Sequence, residues 1–499
     1  MNRRTLAALA AATTLTLTAS GCMVQGNSGN SADGTARLRV ALNFTPRAEL
    51  SPYTDDAVSL TRLGVIEPLI TFDKDGTPQP GLAEKFTMDD ASTATFTLRK
   101  GVTFHDGSKV DAKAAAASLN HALGATPAPA TVSGRKLTIT AEGEDTVKVV
   151  SETPDPILMQ RFGNPDMSIL AAKAYEKNPS KPDTLGAGTG PFVLKEVTGA
   201  TAVKADANPS YWGGKPRLGG LDVKFISKAD SRVAGLRAGE LDVIQNVPIA
   251  QVGNIKDQTV DTRPVPRTTG ISLNTRSGPF TDPAMRAAFA KAIDGKAVAN
   301  SVFEGQADPA TGYFRGDTVW TKDRPAPQFP APADPKGSTI TLATYDDRPE
   351  LPEALTLVAD QLRKAGFTVA TPVVKAYNVL EPEIMAGKYD AVIGSRMYMS
   401  KANDPISVLQ SDFGCKGSYN LAFYCDEALD KELTEAAEIT DVTQRRTRAA
   451  AIEATVLGSG AYVPLVHEVV RIGRTKKVDG LTADPLEWTW ITHRTTLAG

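Results

Sequence analysis

Cysteine is almost missing from this sequence, with three in 499 residues, at Cys22, Cys415 and Cys425. So few exclude a disulfide scaffold and a four-cysteine zinc site. Histidine is nearly as scarce. His105, His121, His467 and His493 include no pair at ligand spacing, so no protein-built metal centre is expected and each reads as a structural or surface residue. Positive charge is not in surplus either: 55 Lys and Arg against 57 Asp and Glu give a formal net charge of -2. A chain that neutralises many phosphates needs a basic face, so nucleic acid is not an expected partner. Beyond the N-terminus no long uninterrupted apolar run occurs, and the remainder reads as soluble.

Signatures of catalysis are missing as well. No Gly-x-Ser-x-Gly elbow is present, and Gly186-Ala187-Gly188-Thr189-Gly190 lacks the third glycine of a dinucleotide loop. No Gly-Lys is followed by Ser or Thr, as a phosphate-cradling loop requires. His467-Glu468-Val469-Val470-Arg471 starts like a zinc-protease helix but puts Arg471 where the second ligand belongs. Neither an enzyme nor a cofactor is expected.

What is present begins at the N-terminus. Arg3 and Arg4 precede an uncharged apolar run from Leu6 to Leu17, followed by Ala19-Ser20-Gly21-Cys22. The run is too short to span a bilayer, which takes ~20 apolar residues, and the order of segments is that of an export signal over residues 1–21. Small residues before Cys22 resemble a lipobox, making Cys22 the first mature residue and the site of lipidation. An ordinary secretory signal is the alternative, since Ala19 stands where lipoboxes usually have Leu. Asn2-Arg3-Arg4-Thr5-Leu6 leaves twin-arginine export open beside the general route. The polar stretch Gln25–Gly34 reads as a flexible tether within residues 22–35. In an exported chain Cys415 and Cys425 are then a candidate disulfide stapling one surface loop, with free thiols as the alternative.

Along the body, short strands alternate with amphipathic helices, which points to an α/β class with mixed α+β sheets. Thr339–Ala343 is strand-like, and Pro352 opens a helix with Leu355, Val358, Ala359 and Leu362 on one face. Gly366 ends it, and a strand is expected over Phe367–Val374. Asp282-Pro283 caps another helix, whose stripe of Met285, Ala288, Phe289, Ala292 and Ile293 reads as core. Pro325 to Pro335 and Thr126 to Ser133 read as surface connectors.

Five blocks then occur in order. They are Pro80–Phe86 with Phe96–Gly107, then Gly188–Phe192, Asn208–Trp212, Leu236–Val243, and Leu273-Asn274 with Pro279-Phe280 and Ala290–Asp294. Read locally, Phe96 and Leu98 point inward on one strand of a hairpin and Val102 and Phe104 on the other, with Asp106-Gly107 at a turn. Together the blocks resemble the family 5 extracellular solute-binding proteins, known from peptide, nickel and opine uptake. The resemblance spans about Val40 to Leu481. One departure is Lys113, where related chains commonly have an acid.

The resemblance implies a two-lobed, hinge-closing fold of the periplasmic-binding-protein type. Lobe I is expected at about 36–271 plus 475–499, with an inserted subdomain at about 61–184, and lobe II at about 272–474. Solute would be enclosed between them, and a monomer would deliver it to ABC permease and ATPase subunits from the extracytoplasmic face of the cell membrane. In peptide-binding relatives an acid upstream of a Pro in lobe II pairs with the ligand's amino group. Here Gly394–Pro405 has no acid before Asp404, and Lys401 stands in its place. Arg396 lies near an arginine that grips carboxylates in nickel-chelate and opine-type relatives, the alternative being a structural ion pair. Tyr398, Asp404, Tyr419 and Asn420 are weaker candidates, and so is His467, which could meet a metal chelate or be a core histidine. The expected solute is a short peptide or a peptide-sized carboxylate-bearing molecule, with a metal chelate as the main alternative. A sensor on the same fold and a secreted hydrolase are the other function classes.

Overall fold

The computed structural model describes residues 36–316, 320–346, 348, 350–399 and 403–498. The export signal, Cys22, the tether and Lys401 lie outside the described residues.

Among the described residues one sheet of eleven strands runs through the molecule. Near one end Arg37–Leu42 pairs in parallel with Gly220–Phe225 and Val243–Ile244. Helix Ala229–Arg237 makes the crossover that a parallel pair needs, and Gly239, at φ +72°, turns the chain back toward the sheet. Two long strands, Thr259–Leu273 and Tyr462–Arg474, carry the sheet to the other half of the molecule. Their ladder shifts register between Pro264 and Thr268, where Pro264 and Pro266 have no N–H to give. Beyond that irregularity Arg267–Leu273 pairs with Ala391–Met397, which takes Leu342–Tyr345 in parallel, and Val373–Lys375 forms the edge.

Helix Glu350–Lys364 buries Leu351, Ala354, Leu355, Val358, Ala359 and Leu362, the face its periodicity predicts, although it starts two residues before Pro352. The strand expected after Gly366 is two short pieces, Thr368–Val369 and Val373–Lys375, because Pro372 between them cannot donate to a ladder. Helix Pro283–Ala292 is capped by Asp282, whose carboxylate accepts from the Ala284 N–H.

Apolar packing divides the same way as the sheet. Leu38, Phe96, Phe162, Phe192 and Leu221 share one core with Trp490 and Ile491. On the far side Phe280, Phe289, Leu355 and Ile393 form a second core, and Tyr313, Phe413, Leu433 and Ile452 a third. Val463 faces the second and Tyr462 the third, so these two cores lie on opposite faces of one sheet. Leu486 and Trp488 pack with the third core while Trp490 and Ile491 pack with the first, so the segment between them bridges the halves.

The first half also contains a four-stranded antiparallel sheet, in which Thr93–Leu98 lies between Ala83–Asp90 and Thr146–Ser151. The Phe96–Gly107 stretch therefore does not form the two-stranded hairpin that its pattern suggests. Gly101, at φ +76°, takes the chain out of the sheet, and Val102 and Phe104 reach the core from a loop tied by one bridge, Thr103 to Lys109. The other motifs are structural as well. Glu67 accepts from Thr189 (2.7 Å), Tyr211 (2.7 Å) and Trp212 (3.1 Å), so one carboxylate joins two of the blocks. Burial raises the pKa of Glu67 above its ordinary value, and these three donors oppose that shift.

Candidate functional site

Where the two halves meet lies a cavity of about 400 Å³. Its floor is Thr262–Pro266, the stretch of the long strand where proline interrupts pairing and leaves side chains free to line a space. One wall comes from the hairpin of Ile70–Phe72 and Pro78–Pro80, whose tip presents Lys74, Asp75 and Gly76. Asp73 shapes that tip by accepting from the Asp75 and Thr77 N–H groups, both at 2.9 Å. The opposite wall is Arg315, Trp320, Tyr398, Met399 and Asn403, and Ala483, Pro485 and Leu486 close the side. The halves are latched at the tip: the Gly76 carbonyl accepts from Asn403 Nδ2 (2.9 Å) and from Arg446 (2.5 Å).

The lining is cationic. Arg263 donates to the Thr482 carbonyl, and its nearest carboxylate among the described residues, Asp261, is 3.8 Å away and more closely held by Arg474 at 2.7 Å. Burial pulls the Arg263 pKa below its ordinary value, with Asp261 opposing. Arg315 pairs with Asp308, and its backbone N–H donates to the Tyr398 hydroxyl at 3.1 Å. Lys74 pairs with its neighbour Asp75. Trp320 and Tyr398 both pack on Phe314 and supply aromatic surface beside these charges.

The residues picked from sequence are distributed over several environments. Tyr398 lines this cavity. Arg396 and Tyr419 line a smaller one, of about 40 Å³, at the carboxyl ends of Leu342–Tyr345 and Ala391–Met397. There Arg396 makes a two-pronged ion pair with Asp412, both bonds 2.7 Å, and lies 4.5 Å above the Tyr419 ring. Burial opposes its charge, but the bonds and charge of Asp412, with Tyr313 and Tyr419 beside it, together raise its pKa.

Asp404 and Asn420 point into the fold instead of a cavity. Asp404 caps helix Pro405–Phe413 through the Ser407 N–H and pairs with buried Arg445 at 2.6 and 2.9 Å. Asn420 donates to the Gly414 and Tyr424 carbonyls, inside the loop closed by the Cys415–Cys425 disulfide. His467 lines neither cavity. The Thr268 hydroxyl donates to the Tyr313 carbonyl, so His467 Nδ1, 2.8 Å from it, carries the proton and donates. Burial, with Arg315 and Arg324 nearby, pushes the His467 pKa down to about 3 and keeps the ring neutral.

Arg263, Arg315, Trp320 and Asn403 escaped the sequence reading. A signal was present in Arg263-Pro264-Val265-Pro266-Arg267, where two prolines stand between two arginines in a strand, a composition that breaks a ladder and exposes charge.

Residues 77–420 match the model of the bacterial extracellular solute-binding proteins, family 5, middle region. The chain belongs to that family. A probable D,D-dipeptide-binding periplasmic protein of Escherichia coli is 27% identical over 422 residues, 80% of each chain. A glutathione-binding protein of Salmonella choleraesuis is 26% identical over 475 residues, 90% of this chain and 92% of its own. Among solved structures, a nickel ABC transporter protein from Bacillus halodurans superposes with a TM-score of 0.79 at 21% identity, over 93% of this chain and 100% of its own. An ABC transporter substrate-binding protein from Listeria monocytogenes gives 0.81 at 19%, over 93% and 99%. The family 5 chain thus has the two-lobed fold of these binding proteins, and it is a binding protein, not an enzyme.

Proposed function

We propose that this family 5 protein is the extracytoplasmic solute-binding subunit of an ABC importer, held at the membrane by a lipid on Cys22. It captures a short peptide, or a peptide-sized carboxylate-bearing solute, in the cavity between lobes at about 36–271 with 475–499 and 272–474. The observation that carries this reading is Arg263: a desolvated guanidinium in a cavity of about 400 Å³, with no carboxylate among the described residues nearer than 3.8 Å. A cation so placed favours an anionic group brought by the solute, and the volume falls in the range of small-molecule sites. The relatives named for dipeptide and glutathione binding support this class of cargo. Arg396, Tyr398 and Tyr419 line the two cavities and are proposed to contact larger solutes.

A metal chelate is the second reading, supported by the nickel transporter among the structural neighbours. Among the described residues no group of three His, Cys, Asp or Glu side chains could hold a metal ion, so metal would enter already chelated, its ligand's carboxylates meeting the same arginines. Native mass spectrometry of the purified soluble form tests both readings. A co-purified mass matching a peptide or a carboxylate chelate supports them, and a neutral sugar in the cleft would refute them.

A further inference from the structure

We propose that Glu453 and Arg324, a buried ion pair outside the large cavity, are positioning residues for it: the pair fixes the wall that carries Arg315 and Trp320. A consequence for solute affinity rests on that cavity being the solute site, whereas the effect on the wall does not. Neither residue lines either cavity. Glu453 stands on helix Val442–Ser459 with its side chain fully buried, and the Arg324 side chain is 9% exposed. The carboxylate accepts from Arg324 Nη1 at 2.9 and 3.0 Å and from the Phe314 N–H at 2.9 Å. Arg324 Nη1 also donates to the Phe314 carbonyl at 3.1 Å, and Nη2 donates to the Thr311 hydroxyl at 3.0 Å.

The wall is set out from Phe314. Its backbone N–H and carbonyl both end on the pair, and Arg315 is the next residue. Its ring carries Trp320 and Tyr398, with centroids 5.1 and 5.2 Å away, and the Arg315 N–H donates to the Tyr398 hydroxyl. From the other side the Arg324 N–H donates to the Thr321 carbonyl at 3.1 Å, and the Thr321 hydroxyl donates to the Arg315 carbonyl at 2.6 Å. The residue after Trp320 is thereby tied to the same place, so Arg315, Trp320 and Tyr398, all lining the cavity, share one reference point. The chain passes the pair with no room for a side chain: a Cβ on Gly312 would overlap both Arg324 and Glu453.

A buried ion pair adds little net stability, because desolvating both charges offsets their attraction. It supplies direction instead, since a guanidinium fork and a carboxylate meet in few geometries, a constraint that two apolar side chains would not place on Phe314. Burial pushes the Glu453 carboxyl up to about 7, with Arg324 and the Phe314 and Tyr313 N–H groups opposing. The carboxylate is therefore present above that pH and is lost as pH falls through it. The groups around it do not share this step. On strand Tyr462–Arg474 the Tyr462 hydroxyl stays protonated, His467 stays neutral, and Glu468 is held ionised by Arg348 and Arg267. On the helices packed against Val442–Ser459, Asp412 is bonded to Arg396 and Tyr313, Arg286 to the Ser459 carbonyl, and Glu432 pairs with Arg448.

Trp320 fluorescence reads the wall directly. It is measured on the full soluble chain as the difference between each protein and its Trp320→Phe counterpart, with iodide quenching and a thermal melt alongside. Glu453→Leu combined with Arg324→Met removes both buried charges and is expected to melt near the wild type, while Trp320 emission moves to the red and is quenched more strongly. Wild-type Trp320 emission is expected to move to the red as pH falls through about 7, and Glu453→Gln to lack that step. Two variants guard against one that folds poorly. Trp320 emission and quenching unchanged in both variants, or a step near pH 7 that Glu453→Gln keeps, overturns the proposal. Calorimetric titration with Ala-Ala-Ala tests the consequence for solute, with affinity expected to fall ~10-fold or more in both variants. A displaced wall with unaltered Ala-Ala-Ala affinity upholds the positioning role and refutes the cavity as the solute site. If the wild type does not bind Ala-Ala-Ala, the Trp320 measurements decide the proposal.

Discussion

Arg263 and Arg396 are both cations lining a cavity, but they differ in what already satisfies them. Arg396 has a two-pronged bond to Asp412, which also accepts from Tyr313 at 2.6 Å, whereas among the described residues Arg263 has a backbone carbonyl and a carboxylate 3.8 Å away. Arg263→Ala is therefore expected to weaken binding of a carboxylate solute by ~10- to 100-fold, about 1.5 to 3 kcal/mol, with little change in the melting temperature. Calorimetry and a thermal melt on the same variant check both halves. Asp404→Ala should do the reverse. It strands Arg445, whose side chain is 4% exposed, at a cost of about 3 to 5 kcal/mol, and urea unfolding should show that loss without a comparable loss of affinity. The sequence displays the Asp-Pro helix start that makes Asp404 a cap. It does not display Arg445, forty-one residues away, and the partner decided the role.

Two histidines give a pH dependence at the same scale. Burial pushes His105 down to about 4 and His467 to about 3, from an ordinary 6.5. Both are thus held neutral in the fold while the unfolded chain takes up protons below 6.5, so their contribution is complete above 6.5 and is lost as pH falls toward 4. Other buried groups titrate in this range, so the prediction concerns a difference between proteins. The unfolding free energy of His105→Gln should fall less between pH 7 and pH 5 than that of the wild type. An unchanged slope would contradict the assignment.

At the scale of elements, the hairpin tip at Asp73–Thr77 is the part of the first lobe that reaches the second. Gly76 adopts φ +74°, and a Cβ there would overlap the Asn403 and Arg446 side chains that grip its carbonyl. Gly76→Val should therefore hinder closure. Solute affinity should fall although position 76 contributes no charge, and X-ray scattering with saturating solute should give a larger radius of gyration than the wild type. Helices were the most legible elements, because their apolar periodicity and caps are local: Asp282-Pro283 and the Leu355–Leu362 stripe both stand where their residues place them. The Phe96 strand was misread in its partners because a strand pattern states which face is inward and not which distant strand supplies the ladder. Here the partners lie at Ala83–Asp90 and Thr146–Ser151, and the positive φ at Gly101 removed the local alternative.

At the scale of the whole molecule, the long strands Thr259–Leu273 and Tyr462–Arg474 join the lobes, and the proline-rich irregularity near Pro264 is at once the joint of the sheet and the floor of the cavity. That coincidence places Arg263 in the cleft, and it explains why the site was less legible than the family. The family motifs are contiguous stretches that build structure, such as those tied by Glu67. The cavity gathers residues from five separate stretches of chain, between Lys74 and Leu486, and no local pattern joins them. Closure over a solute is a population shift toward the latched form, which the solute favours by bridging the walls.

The most direct test is a crystal structure of the protein with its co-purified or calorimetrically identified solute. The account predicts density between the Lys74–Gly76 tip and Trp320, with a carboxylate oxygen within hydrogen-bonding distance of Arg263. Solute bound outside this cavity, or bound inside it through neutral hydroxyl groups with Arg263 still turned to the Thr482 carbonyl, would contradict it.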